Sequence, residues 1–194
     1  MEITKVITKE ALSKLPREIF QGQTVIVETE EELERALRYL STFREIGFDT
    51  ETRPSFSKKT HYKIALIQLS TDDTCFLLRL NKLGGTPELL ESFLINKEVK
   101  KIGLSLRDDF HGLHSLTKIT PGNFIDLQAY VTRFGIEDMS LQKIYAILFG
   151  KKISKRERLS NWEAEKLSEA QQRYAALDAW SCLRIYKFLE NINV

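Results

Sequence analysis

Three strand-like runs crowd into residues 45–80, and that crowding limits the fold more than any other feature of the chain. Residues 45–52 alternate apolar and polar side chains, while residues 62–69 and 75–80 are rich in Ile, Leu and Phe and are separated by the turn-like Thr71-Asp72-Asp73. Such runs read as hairpin-type strands. A strand at 24–28 and a helix at 31–43 precede them. A helix at 87–94, a strand at 99–103 and a helix at 105–116 follow. Pro121-Gly122-Asn123 then breaks the chain before a short strand at 124–126. Beyond it the pattern reads as almost entirely helical, ending in a long helix over 168–190. Hairpin strands followed by strand–helix alternation predict an α/β fold with a mixed sheet flanked by helices. Residues 24–194 would form this single domain, behind a peripheral N-terminal arm at 1–23.

Composition narrows the setting. The chain has 194 residues, of which 42% are hydrophobic and 29% charged, an ordinary globular balance for one domain. No run approaches the ~20 apolar residues that span a bilayer, and MEITKVITKE lacks the apolar segment of a signal peptide. Cys75 and Cys182 are the two cysteines, too few for a disulfide framework and without zinc-ligand spacing. A reducing cytoplasm is therefore expected, with no membrane association. The net charge of +2 does not announce a polyanionic partner, but charge is locally uneven. Residues 28–34 hold five glutamates, and residues 151–158 hold five basic residues and one acid. Lys58, Lys59 and Lys63 surround His61 and Tyr62. Runs of this kind are ordinarily solvated surface and argue only weakly for nucleic acid.

The positions of acidic residues within the apolar pattern carry more. In Ile46-Gly47-Phe48-Asp49-Thr50-Glu51, period-two alternation puts Ile46 and Phe48 on one side and Asp49 and Glu51 on the other. Alone, this pattern also fits a solvent-facing edge strand. In the last helix, Ala170, Tyr174, Leu177, Ser181, Ile185, Phe188 and Leu189 define a buried face at helical spacing. Asp178 falls near its middle, where an ionised carboxylate needs either a distant Arg or Lys or a metal ion. On the helix near 105–116, Leu106, Phe110 and Leu113 mark the core side. Asp109 flanks that side and Asp108 points away from it, although a first-turn acid also suits the helix dipole. Asp49, Glu51, Asp109 and Asp178 thus form a set of four inward carboxylates. All-oxygen ligation suits Mg²⁺ or Mn²⁺, and four negative charges call for two divalent cations. Without metal the four would repel, and some would hold protons above their ordinary range.

Phe48-Asp49-Thr50-Glu51, then Gly103-Leu104-Ser105-Leu106-Arg107-Asp108-Asp109, then Tyr174-Ala175-Ala176-Leu177-Asp178 resemble, in order, the three motifs of the DEDDy 3′–5′ exonucleases. That group includes ribonuclease D and the Werner-type exonuclease domain. Lys63-Ile64-Ala65-Leu66-Ile67-Gln68-Leu69, Leu159-Ser160-Asn161-Trp162 and Gln172-Arg173-Tyr174 extend the resemblance to the Werner-type domain. It implies a ribonuclease H-like fold and a metal-dependent hydrolase that removes nucleoside 5′-monophosphates from a free 3′ end, with DNA preferred and RNA as the alternative. It further implies that Asp49 bridges two ions, that Glu51 and Asp178 complete the shell of the first, and that Asp109 holds the second. Tyr174 would orient the attacking water. Thr50, Thr52 and Arg158 would contact substrate, Arg158 being equally readable as a surface residue. Thr52-Arg53-Pro54-Ser55-Phe56 departs from the bulky residues that Werner-type domains carry after the first motif. Trp162, Trp180, Cys75 and Cys182 read as packing residues. A non-catalytic binding module is the remaining alternative, weakened by the presence of all four carboxylates and Tyr174.

Overall fold

The computed structural model describes residues 3–55 and 62–192. Phe56, Lys58, Lys59 and His61, singled out above, lie outside the described residues. The strands are β1 (Gln23–Val27), β2 (Glu45–Thr52), β3 (Ile64–Ser70), β4 (Thr74–Arg79), β5 (Lys100–Gly103) and β6 (Phe124–Asp126). The helices are α1 (Lys9–Lys14), α2 (Glu30–Leu40), α3 (Leu80–Leu83), α4 (Glu88–Ile95), α5 (Leu106–His114), α6 (Leu127–Val131), α7 (Leu141–Phe149) and α8 (Glu169–Ile192). One mixed sheet runs in the order β1-β4-β3-β2-β5-β6. The β2–β3 and β3–β4 pairs are antiparallel, whereas β1–β4, β2–β5 and β5–β6 are parallel. The expected α/β fold is therefore present, and β2 is a central strand, not an edge.

The two sides of β2 go to different cores. Ile46 and Phe48 join Ile67, Leu69, Leu33, Leu37, Leu94 and Leu106 in a layer built with α2, α4 and α5. Helix α2 starts at a capping box in which Thr29 and Glu32 satisfy each other's backbone. Its exposed glutamates pair with its own arginines, Arg35 with Glu31 and Arg38 with Glu34, so this acidic run is a solvated face. The opposite side of the sheet packs under α6, α7 and α8. Gly47 allows the closest approach there, because a Cβ at this position would fall on the carbonyl of Ala179 in α8.

Two expectations need correction. Helix α8 is buried on nearly every side from Tyr174 to Leu183, since sheet and α7 enclose it, whereas Ala170 is exposed and Phe188 only half-buried. The stripe marks only part of the buried surface. The stretch between Gly150, which ends α7 at φ +63°, and α8 is irregular, not helical. The N-terminal arm contributes Leu12, Glu18 and Phe20 as buried residues. Trp162 is fully buried, while Trp180 is half-buried with its Nε1 donating to the Asp72 carbonyl at 2.9 Å. Cys75 and Cys182 are buried and free.

Candidate active site

Strand β2 carries Asp49 and Glu51 on the side that faces α8, and the close contact at Gly47 brings Asp178 of α8 down beside them. Oxygen atoms of these three carboxylates all lie within 4.8 Å of one another, and no other group of this kind occurs among the described residues. Asp109 is placed differently. The Asp126 carboxylate accepts from the backbone N–H groups of Ser105 (3.1 Å) and Leu106 (3.0 Å), fixing the first turn of α5. Ser105 sits there at φ +62°, a left-handed conformation that non-glycine residues hold only when their surroundings enforce it. The turn directs Asp109 toward β2, where the Thr50 hydroxyl donates to its carboxylate. Asp109 therefore flanks the trio, half-buried and outside the tight group, while Asp108 is exposed as the helical register implies.

The electrostatics are those of crowded charge with little compensation. Burial, then repulsion by Asp178, Asp109 and Glu51, holds Asp49 well above the ordinary carboxylate range. Burial and repulsion by Asp178 and Asp109 push Glu51 up to about 9, against an opposing pull from Arg158. Burial pushes Asp178 up to about 7, opposed by the Tyr174 hydroxyl and the charge of Lys155. Asp109 rises to about 6 through burial, restrained by the bond from Thr50. Tyr174 lies one turn before Asp178, and burial beside Asp178, Glu51 and Asp49 raises its pKa. No ion pair involves any of the four acids among the described residues, so none of those residues supplies the cation that Asp178 would otherwise need.

The residues present fit a metal ion. The Oδ1 atom of Asp178 is buried with no hydrogen-bond partner, a state that is costly for an acceptor unless something else satisfies it. The donor set is all oxygen, as hard divalent cations require. A cleft of about 300 Å³ opens beside the trio, bounded by Asp49, Tyr174, Asp178, Ser105, Gln128 and a wall that includes Lys155 and Arg158. The other two expected substrate contacts lie elsewhere. The Thr50 hydroxyl is engaged by Asp109, and Thr52 is exposed beyond a register shift at the end of β2. Lys155 is a cleft residue that motif reasoning passed over, although the basic run at 151–158 contained it.

Fold and site together define a class: an α/β protein with a buried, all-oxygen acidic centre on the middle strand of its sheet. The chain belongs to the 3′-5′ exonuclease family, whose profile matches residues 24–193. It is 30% identical over 153 residues to the mouse bifunctional 3′-5′ exonuclease/ATP-dependent helicase WRN, covering 76% of this chain and 11% of that protein. It is also 30% identical over 169 residues to ribonuclease D of Gluconacetobacter diazotrophicus, covering 85% of this chain and 42% of that one. The chain thus spans less than half the length of either relative. The Aedes aegypti Nibbler EXO domain superposes with a TM-score of 0.78 at 24% identity, over 90% of this chain and 91% of that one. The fold is accordingly ribonuclease H-like.

Proposed function

We propose that this chain hydrolyses the 3′-terminal phosphodiester of a nucleic acid strand and releases nucleoside 5′-monophosphates. The carrying observation is the trio of half-buried Asp49 with buried Glu51 and Asp178, whose oxygens lie within 4.8 Å and which pair with no cation among the described residues. Two divalent cations, Mg²⁺ or Mn²⁺, would be held by Asp49, Glu51 and Asp178 on one side and by Asp49 and Asp109 on the other. Bound there, they would supply charge stabilisation of the reacting phosphate and acidify water toward neutrality. The protein's own groups do the rest. With its pKa raised, the Tyr174 hydroxyl keeps its proton and can orient a water as donor without acting as base. Lys155 and Arg158 offer positive charge to the substrate backbone from the cleft wall. At about 300 Å³ the cleft lies at the small end of ligand sites, a size on the scale of one terminal nucleotide.

DNA is the first reading, on the likeness to WRN. RNA is the second, because the ribonuclease D relative covers more of this chain at the same identity. Two buried free thiols support a reducing, cytoplasmic setting, and no helix among the described residues is long and apolar enough to cross a membrane. The test uses 5′-labelled single-stranded DNA, recessed-3′ duplex and matched RNA with Mg²⁺, Mn²⁺ or EDTA, beside Asp178→Ala. A ladder shortening from the 3′ end, lost with EDTA and in the variant, is expected. Binding without cleavage on every substrate would make the chain a non-catalytic module instead.

A further inference from the structure

The family match begins at residue 24, yet the arm before it is fastened to the domain at two places, and both adjoin the cleft. At the first, the Lys5 carbonyl accepts from the Glu137 N–H at 2.9 Å, and the Ile7 N–H donates to Asp138 Oδ2 at 2.9 Å. At the second, Lys152 makes a parallel bridge with Arg17: its N–H donates to the Pro16 carbonyl and its carbonyl accepts from the Glu18 N–H, each at 2.9 Å. The buried Glu18 carboxylate then accepts from Tyr145 Oη (2.7 Å), Lys151 Nζ (3.0 Å) and Arg184 Nη1 (2.9 Å). Phe20 closes the arm against Trp180, with ring centroids 5.7 Å apart.

Beyond each attachment the chain becomes cleft wall. Residues 139–142 come directly after Glu137 and Asp138, and Ile153, Ser154, Lys155 and Arg158 come soon after Lys152. The two runs are tied to each other by Gln142 Nε2, which donates to the Ile153 carbonyl at 2.6 Å. The second run is irregular and belongs to no sheet, so its bridge to the arm sets where it starts. We propose that residues 3–20 are a brace that positions the cationic wall of the cleft, and that Glu18 is a positioning residue for substrate binding through Lys155 and Arg158. The role in binding rests on the exonuclease reading; the brace itself does not.

The test compares wild type, Glu18→Ala, Glu18→Gln and Ile7→Pro on a single-stranded oligonucleotide with Mn²⁺. Glu18→Ala is expected to raise KM roughly five- to tenfold with kcat within about twofold, the pattern of lost binding rather than lost chemistry. Glu18→Gln, which keeps an acceptor for Tyr145, should recover part of that loss. Arg158→Ala should raise KM in wild type and add less than about twofold in the Glu18→Ala background, because the two act through one wall. Hydrogen exchange of amides 151–158 should quicken in Glu18→Ala while β2 and α8 stay protected. An unchanged KM, or multiplicative effects in the double variant, would overturn the positioning role. Unchanged exchange at 151–158 would overturn the brace. If Glu18→Ala does not fold, Glu18→Gln and Ile7→Pro face the same criteria. A wild type that cleaves neither DNA nor RNA refutes the exonuclease reading alone, since exchange still judges the brace.

Discussion

Two sets of buried carboxylates in this molecule have been treated in opposite ways. Glu18 is 8% exposed, as is Glu51, and Asp178 is 7% exposed. Four donors meet Glu18, and its pKa is lowered: burial pushes it up, but the bonds from Tyr145, Lys151 and Ile19 outweigh that push. Around Asp49, Glu51 and Asp178 burial wins instead, with repulsion from neighbouring acids added at Asp49 and Glu51, and their pKa values rise. Burial alone does not separate a structural acid from a functional one. What separates the two here is whether the fold itself supplies compensating charge, which it does at Glu18 and, among the described residues, does not at the trio.

Asp178→Asn breaks the contrast most sharply. It should cost on the order of 10³-fold in cleavage, the scale on which single electrostatic stabilisers act at reaction centres, while leaving the metal-free protein no less stable because one repelling charge is gone. A variant that retains cleavage, or that melts several degrees lower without metal, would show that Asp178 is a structural acid like Glu18. Next in size is the response to metal. Mn²⁺ at about 100 times its dissociation constant should stabilise by about 2.7 kcal/mol. For a chain of this length that is roughly 5–10 °C in Tm. Thermal melts of Asp178→Asn should show little of it, and an unchanged wild-type melt at millimolar Mn²⁺ would count against the site.

Glu18→Ala probes the other side. It leaves Tyr145 and Lys151 without their acceptor and Arg184 with the Tyr145 hydroxyl alone, and should destabilise by ~2–3 kcal/mol, read as a lower denaturant midpoint. That is below the ~3–5 kcal/mol of a fully buried pair because the Lys151 and Arg184 side chains are 44% and 38% exposed. The pH dependences should also oppose. Glu51, Asp178 and Asp109 bind protons more tightly folded than unfolded, so between about pH 4.5 and 9 the native state carries more protons and metal-free stability falls as pH rises. Glu18, with its pKa lowered, contributes stability above its unfolded pKa and loses it as pH falls through the folded value. A metal-free Tm that is flat or rising from about pH 5 to 9 would contradict the first statement; an acid limb unaltered in Glu18→Gln would contradict the second.

This contrast was only half legible in the sequence. Periodicity placed Asp49 and Glu51 on one side of β2, preferred Asp109 over Asp108, and put Asp178 amid apolar neighbours, because each judgement needs only a local repeat. It could not show that β2 is central, since its partners β3 and β5 are set by pairing with distant segments. Glu18 was invisible for the same reason: Pro16-Arg17-Glu18-Ile19-Phe20 has no repeat, and its donors come from residues 145, 151 and 184. Among the clustered basic residues at 151–158, which ones face the cleft depends on the path of an irregular backbone. Lys155 was therefore missed where Arg158 was found by motif.

The smallest expected effect concerns Thr50, which sits between the two treatments: among the described residues, its hydroxyl is the one side-chain donor the fold gives to Asp109. As a substrate contact, Thr50 should affect KM for the oligonucleotide when changed to Val. As the group that holds Asp109, it should leave KM alone and weaken the apparent affinity for metal, with a loss of about 1 kcal/mol, or roughly fivefold in rate at subsaturating Mn²⁺. The pH–rate profile decides between them. The bond from Thr50 stabilises the ionised carboxylate and restrains a pKa that burial has already raised to about 6. Removing it raises that pKa further, so the acid limb of the profile should move to higher pH in Thr50→Val. An acid limb that stays in place while KM rises would return Thr50 to the substrate side of the cleft.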